Sequence, residues 1–180
     1  LDEERQHMLL YAPQFVSLLL PQLHIALNAL VHLAFEPHDA ELTTSHIFLR
    51  VYSQQTRSGL CLHSDDASYT LSVQLSQPHV QFDGGALELY DACASALLSE
   101  LEPQRGFTDA DLRNEEVRIV ANERPPFVAR VDKGDAVLHR SSLYHRVTPV
   151  TRGSRYSLLV FTDDAAKVAQ RRADAEQLLW

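Results

Sequence analysis

The 180-residue chain is short of basic residues: 16 Lys and Arg stand against 24 Asp and Glu, for a formal charge of -8. Phosphate binding rests on clustered Lys and Arg, so no nucleic-acid partner is expected, although a local basic groove is compatible with this balance. Cysteine is scarce as well. Cys61 and Cys93 are the whole complement and make no disulfide framework, which weakly favours a reducing, cytoplasmic setting. Long apolar runs are missing. Residues 9–35 are rich in Leu, but Pro13, Gln14, Pro21, Gln22, His24, Asn28 and His32 interrupt them. No run reaches the ~20 apolar residues of a spanning helix, so no membrane insertion is expected. There is no internal repeat and no low-complexity segment. The chain opens on Leu1 rather than Met, as expected of a fragment or processed form.

Against these absences stands one constellation. His63-Ser64-Asp65 lies inside LHSDD, and His145 lies inside YHRVTPVTRGSRYS with Arg155 ten residues beyond it. Two histidines and one carboxylate from separate strands suit a non-haem Fe(II) site, because three ligands on one face of an octahedron leave the other positions open. Alternation along a strand would put His63 and Asp65 on one face. A guanidinium past the third ligand suits a dicarboxylate whose other end chelates the metal, since it binds a carboxylate through two hydrogen bonds. Asp66 has the opposite parity and reads as a neighbouring or strand-end residue. Cys61 shares parity with His63 and would lie near the metal or, more simply, act as a small buried apolar residue. His38, His46, His79 and His139 lack a partner at ligand spacing and read as structural.

A chain of this length is expected to be one domain, 1–180. Its first part, about 1–36, is helical in pattern with breaks at Pro13 and Pro21. There His24, Asn28 and His32 form a polar stripe that reads as solvated. Leu23, Ile25, Leu27, Leu30, Val31 and Leu33 require cover on the back of a sheet. The β core is expected over about 46–162, with strands at 46–53, 68–76, 86–90, 117–121, 127–131, 136–139, 145–150 and 155–162. A C-terminal helix is expected over about 163–180. Residues 92–126 form an excursion between strands, either a lid or binding loop or a decoration. Double glycine Gly84-Gly85 reads as a bulge or close backbone approach, and Gly134 and Gly153 as turns.

The segments FLRVYS, LHSDDASYTLSVQLS, FDGGALELYD and GDAVLHRSSLYHRVTPVTRGSRYSLLVF occur in this order between Ile47 and Thr162. In them the chain resembles the Fe(II)/2-oxoglutarate dioxygenase superfamily, in its prolyl and lysyl hydroxylase-like branch. The resemblance implies a mainly β fold with flanking helices, a double-stranded β-helix (jelly roll). It implies Fe(II) held by His63, Asp65 and His145, with 2-oxoglutarate and O2 as co-substrates and ascorbate as a plausible reductant. It also implies hydroxylation of an unactivated C–H bond, with succinate and CO2 as co-products.

For 2-oxoglutarate, Arg155 is the expected partner of the distal carboxylate, with Ser157 two residues on along the same strand face. Tyr52, eleven residues before His63, stands where lysyl hydroxylase-like relatives place a tyrosine beside the co-substrate. Packing in the barrel is its other reading. Ser72 stands where relatives often carry Asn, and Leu60 where many prolyl hydroxylases carry Tyr, so the pocket is no close copy of theirs. Arg152, the rival cation, reads as a solvated turn residue. The expected substrate is a prolyl or lysyl side chain in a peptide or protein. The alternatives are a small molecule, or a jelly-roll module kept for binding without catalysis. A Zn(II) hydrolase using the same ligands would leave Arg155 unexplained.

Overall fold

The computed structural model describes residues 7–8, 13–35, 42–104 and 106–177. Among the described residues ten strands and five α-helices follow along the chain. These are β1 (His7–Met8), α1 (Pro13–Leu18), α2 (Leu20–Phe35), β2 (Thr43–Ser53), β3 (Leu60–His63), β4 (Tyr69–Gln74), β5 (Phe82–Gly84) and β6 (Leu87–Leu89). Then come α3 (Ala92–Leu101), α4 (Glu115–Glu123), β7 (Phe127–Ala129), β8 (Ala136–Arg140), β9 (His145–Val147), β10 (Val150–Asp163) and α5 (Ala165–Gln177). One sheet runs β1-β2-β10-β4-β8 with β5 on β10, and the other runs β3-β9-β6-β7. Every strand pair is antiparallel. The expected mainly β, jelly-roll architecture with flanking helices is what the chain adopts.

Alternation on the larger sheet decides what each face does. Ile47, Tyr69, Leu71, Leu158 and Val160 face outward and pack under Leu27 and Val31 of α2. The intervening residues, Phe48, Arg50 and Tyr52 on β2, Thr70 and Ser72 on β4 and Arg155, Ser157, Leu159 and Phe161 on β10, face inward and line one pocket. The inner face is unusually polar for a sandwich core. That is where a site belongs.

Several expectations change. Residues 117–121 are helical, within α4. Val117 and Val120, three apart, are buried on one face of it, and the Asn114 side chain accepts from Glu116 N at 2.9 Å as the cap. The short run VRIVA suits either period, and the cap decides. Two further strands, β3 and β5, were not delimited by the pattern. The break expected at Pro21 is present, since α1 ends at Leu18 and α2 starts at Leu20; Pro13 and Pro21 sit in the first turns of α1 and α2, positions that do not need the N–H that proline lacks. Residues 7–8 pair with β2 instead of being helical. The α2 face is only partly covered. Leu27 and Val31 are buried, whereas Ile25 and Leu33 are 70% and 83% exposed, because one sheet can meet only one stripe. The polar stripe is tied rather than simply solvated: His24 Nδ1 meets Thr44 Oγ1 at 3.2 Å and its Nε2 meets Asn28 Nδ2 at 3.0 Å.

Gly153 lies inside β10, not in a turn. Its φ is +71°, and a Cβ there would sit 1.9 Å from Gln81 O, so only glycine fits there, just past the point between Val150 and Arg152 where β10 slips register against β5. The excursion packs on the smaller sheet. Ala94, Leu98, Phe107, Val117 and Val120 form a cluster with Leu62, Tyr90 and Tyr144, and no described residue of 92–126 lines the inner pocket. His38 and residues 178–180 lie outside the described residues.

Candidate metal centre

His63 closes β3, Asp65 follows in the irregular segment before β4, and His145 opens β9, paired directly with His63 across the strands. Asp65 Oδ1 lies 3.4 Å from His63 Nε2, and Oδ2 lies 3.5 Å from His145 Nε2. One ligand atom from each residue falls within 4.8 Å of the others, the spread of three ligands converging on one ion. Strand alternation is not what aims Asp65. Its backbone N–H donates to Ser141 O at 2.9 Å, which fixes the chain after β3 has ended.

The imidazoles are set by their other nitrogens. His63 Nδ1 lies 2.8 Å from Cys61 O and His145 Nδ1 3.0 Å from Leu143 O. A carbonyl only accepts, so each Nδ1 carries a proton and each Nε2 is the nitrogen turned to the site, the atom whose lone pair a metal would take from a neutral imidazole. Burial would raise the Asp65 pKa, but the His63 hydrogen bond, the charges of both histidines and the Thr70 hydroxyl bring it down to about 2. Burial, reinforced by His63, lowers His145 to about 4. A carboxylate and neutral imidazoles are the donor set a divalent cation takes.

At the far end of the pocket Arg155 is 3% exposed. Its Nε donates to Gln74 Oε1 at 3.0 Å and its Nη1 to Gly85 O at 2.9 Å. Gly85, at φ +63°, makes room for it: a Cβ there would come within 3.3 Å of Arg155 Cδ and 2.8 Å of a Val150 methyl. No carboxylate pairs with Arg155 among the described residues, and burial pulls its pKa down against the opposing influence of Tyr52. Tyr52 is opposite in register, its ring 5.7 Å from the guanidinium carbon. The Ser157 hydroxyl is buried with no hydrogen-bond partner among the described residues, and Ser72 lines the same pocket. A buried cation and an orphan hydroxyl side by side fit an incoming carboxylate.

All seven expected residues, His63, Asp65, His145, Arg155, Tyr52, Ser157 and Ser72, thus line one pocket, joined by Leu60. The rivals fall elsewhere. Asp66 pairs with Lys167 and Arg171 of α5. Arg152 is ion-paired with Asp83. Cys61 turns its thiol to Asp109 at 3.7 Å, away from the metal ligands, because β3 slips register between Leu60 and His63.

Three pocket residues escaped the sequence reading. His139, set aside as packing, is 4% exposed with its ring 4.8 Å from that of His145 and its Nδ1 2.9 Å from Arg140 O. Thr70 Oγ1 donates to Asp65 Oδ2 at 2.7 Å. Arg50 is a second guanidinium in the pocket, and its i, i+2 relation to Tyr52 in FLRVYS was a legible signal.

No family model matches the chain, and no curated protein matches its sequence. Solved structures do match. A 2OG-Fe(II) oxygenase family oxidoreductase from Burkholderia pseudomallei aligns with TM-score 0.56 at 18% identity, over 84% of this chain and 59% of that one. A non-heme alpha-ketoglutarate-dependent epimerase from nogalamycin biosynthesis aligns with TM-score 0.61 at 17% identity, over 89% and 62%. A structure of prolyl 4-hydroxylases from Phytophthora capsici aligns with TM-score 0.54 at 18% identity, over 89% and 48%. The fold is therefore that of the 2OG-Fe(II) oxygenases. The chain spans less than two thirds of each of these three proteins.

Proposed function

We propose that the protein is an Fe(II)- and 2-oxoglutarate-dependent dioxygenase that hydroxylates an unactivated C–H bond. His63, Asp65 and His145 would hold the iron. Arg155 would hold the distal carboxylate of 2-oxoglutarate, with Tyr52, Ser157 and Ser72 around it. Bound there, the metal and co-substrate supply O2 activation, with succinate and CO2 as co-products. The chain's own residues contribute placement: Nε2 atoms fixed toward the site, an oriented carboxylate and a pocket set between the two sheets. As a ligand, Asp65 would fill the position that related halogenases leave open for halide, which disfavours halogenation. Ascorbate is the proposed reductant for stray Fe(III).

One observation carries this reading. A convergent His-Asp-His triad and a buried arginine with no carboxylate partner among the described residues share one pocket. A non-catalytic binding module has no use for that pairing, and a Zn(II) hydrolase has none for Arg155.

For the substrate, a prolyl or lysyl side chain in a peptide or protein is supported by the motif resemblance, including the Tyr52-to-His63 spacing, and by the fold shared with the prolyl 4-hydroxylases. A small-molecule substrate is the second reading, favoured by the excursion, which leaves the inner pocket uncovered, and by the fold shared with the epimerase. The test is succinate formation by purified protein with Fe(II) and 2-oxoglutarate, screened across proline- and lysine-containing peptides and small acids. Absence of Fe(II)-dependent succinate release, even uncoupled, would sink the oxygenase reading.

A further inference from the structure

Arg50 projects from the inner face of β2, two residues before Tyr52 and opposite Ser157 in register. It is half-buried, and among the described residues no carboxylate pairs with it and no hydrogen-bond acceptor meets it. Its close neighbour is the Phe48 ring, 5.5 Å from Cζ. Phe48 packs edge-on against Phe161 at 5.4 Å, and both rings line the pocket. The pocket thus holds two cations, a sealed one at Arg155 and an accessible one set against an aromatic wall.

The co-substrate does not need both. Its distal carboxylate is one group, and Arg155 with Ser157 and Tyr52 already offers it a guanidinium and two hydroxyls. Charge points the same way. In the loaded site the two charges of Fe(II) and the one on Arg155 are offset by Asp65 and the two carboxylates of 2-oxoglutarate. Arg50 remains as one uncompensated positive charge, in a pocket where low dielectric makes such a charge costly and an anion welcome.

We propose that Arg50 is a specificity-determining residue that receives a carboxylate of the substrate, whose apolar part lies on Phe48 and Phe161. The inference rests on the oxygenase reading and narrows its substrate class to acids. The acid is either a small carboxylic acid or an acidic side chain next to the hydroxylated residue of a peptide.

The test is calorimetric and needs no turnover. Protein loaded with Mn(II) and 2-oxoglutarate is titrated with hexanoate, phenylacetate and N-acetyl-Asp-Pro-amide, and with the neutral counterparts hexanamide, phenylacetamide and N-acetyl-Asn-Pro-amide. At least one acid should bind about tenfold more tightly than its neutral counterpart, the preference expected of one charge-assisted contact. Which acid shows it separates the small-acid source from the peptide source. In Arg50→Gln the preference should fall to about twofold or less, while Arg50→Lys keeps most of it and both variants bind 2-oxoglutarate as the parent does. No preference in the parent protein, or a preference that survives Arg50→Gln, overturns the proposal. So does an Arg50→Gln variant that weakens 2-oxoglutarate as much as the acid, because Arg50 would then belong to the co-substrate clamp. Failure of the parent to take up Mn(II) and 2-oxoglutarate at all would instead overturn the oxygenase reading beneath it.

Discussion

Thr70 donates its hydroxyl to Asp65 Oδ2 at 2.7 Å, and that same oxygen faces His145 Nε2 at 3.5 Å. Since the Thr70 proton is committed to Asp65, Ser141 Oγ, 2.8 Å away, must donate to Thr70 in turn. A chain of two hydroxyls therefore aims the carboxylate. Thr70→Val keeps the shape and removes the donor, and losses at such orienting partners run about 10–100-fold in metal affinity. We expect a weakening of about tenfold or more in Mn(II) or Co(II) titrations, without a change of fold. An unchanged affinity would mean that the backbone bond from Asp65 to Ser141 suffices.

The ligand triad itself should be far less tolerant. His63→Ala, Asp65→Ala and His145→Ala should each remove stoichiometric divalent-metal binding and Fe(II)-dependent succinate release. Asp66→Ala should leave both intact, because its side chain faces Lys167 and Arg171 of α5 rather than the imidazoles. Loss of metal binding in Asp66→Ala with retention in Asp65→Ala would reverse the assignment.

Arg155 and Arg152 offer a contrast between two guanidiniums on one strand. Removing one member of a buried, hydrogen-bonded charge pair costs about 2–5 kcal/mol, or roughly 30- to several-thousand-fold in affinity. Arg155→Lys should weaken 2-oxoglutarate strongly while sparing metal affinity, and Arg155→Ala at least as much. Arg152→Ala removes an exposed pair with Asp83 and a hydrogen bond to His79 O, both away from the pocket, and should leave 2-oxoglutarate binding unchanged. Equal losses at both positions in a 2-oxoglutarate titration would show that the carboxylate is held elsewhere.

What was legible in the sequence follows the range of the interactions. His63 and Asp65 are two residues apart, so a local motif suffices to find them, and His145 to Arg155 is one strand turn and return. Yet the reason offered for Asp65, strand alternation, was incomplete. β3 ends at His63, and the aim comes from Ser141, 76 positions beyond Asp65. Cys61 misleads for a related cause, since parity counts residues evenly and the register slip in β3 does not. His139 meets the site only because β8 lies beside β4, with His139 opposite Thr70, a pairing that no single segment announces. The helix α4 was obscured by brevity: V-R-I-V satisfies both periods until Asn114 is recognised as its cap.

Acid should loosen the metal-free protein in a defined window. His145 has an ordinary pKa of 6.5 and about 4 in the fold, and burial lowers His139 in the same direction. Between those values the unfolded chain binds protons that the folded one refuses, so stability is fully present above about 6.5 and is lost as pH falls toward about 4. Melting temperature measured from pH 7 to 4 should fall across this range, and His145→Gln should flatten the slope. A stability that holds or rises on acidification would contradict neutral, buried imidazoles.

The excursion yields the last prediction, because its place in the fold changes what its loss should do. Tyr144 immediately precedes the ligand His145, and three contacts tie it to the excursion and its approach. Its N–H donates to Ser95 Oγ at 2.9 Å, its carbonyl accepts from Tyr90 N at 2.9 Å, and its hydroxyl donates to Glu102 at 2.5 Å. Leu98 is fully buried in the same cluster. Leu98→Ala should therefore cost about 2–5 kcal/mol of stability, as large-to-small changes in a packed core do. Ser95→Ala leaves a buried N–H unpaired and should cost about 1–3 kcal/mol. If the excursion were a lid, these changes would chiefly raise the substrate requirement of a stable enzyme. As a buttress it should show its loss first in denaturant midpoints and metal affinity, with 2-oxoglutarate affinity little changed once metal is saturating. Normal midpoints with a raised substrate requirement would restore the lid.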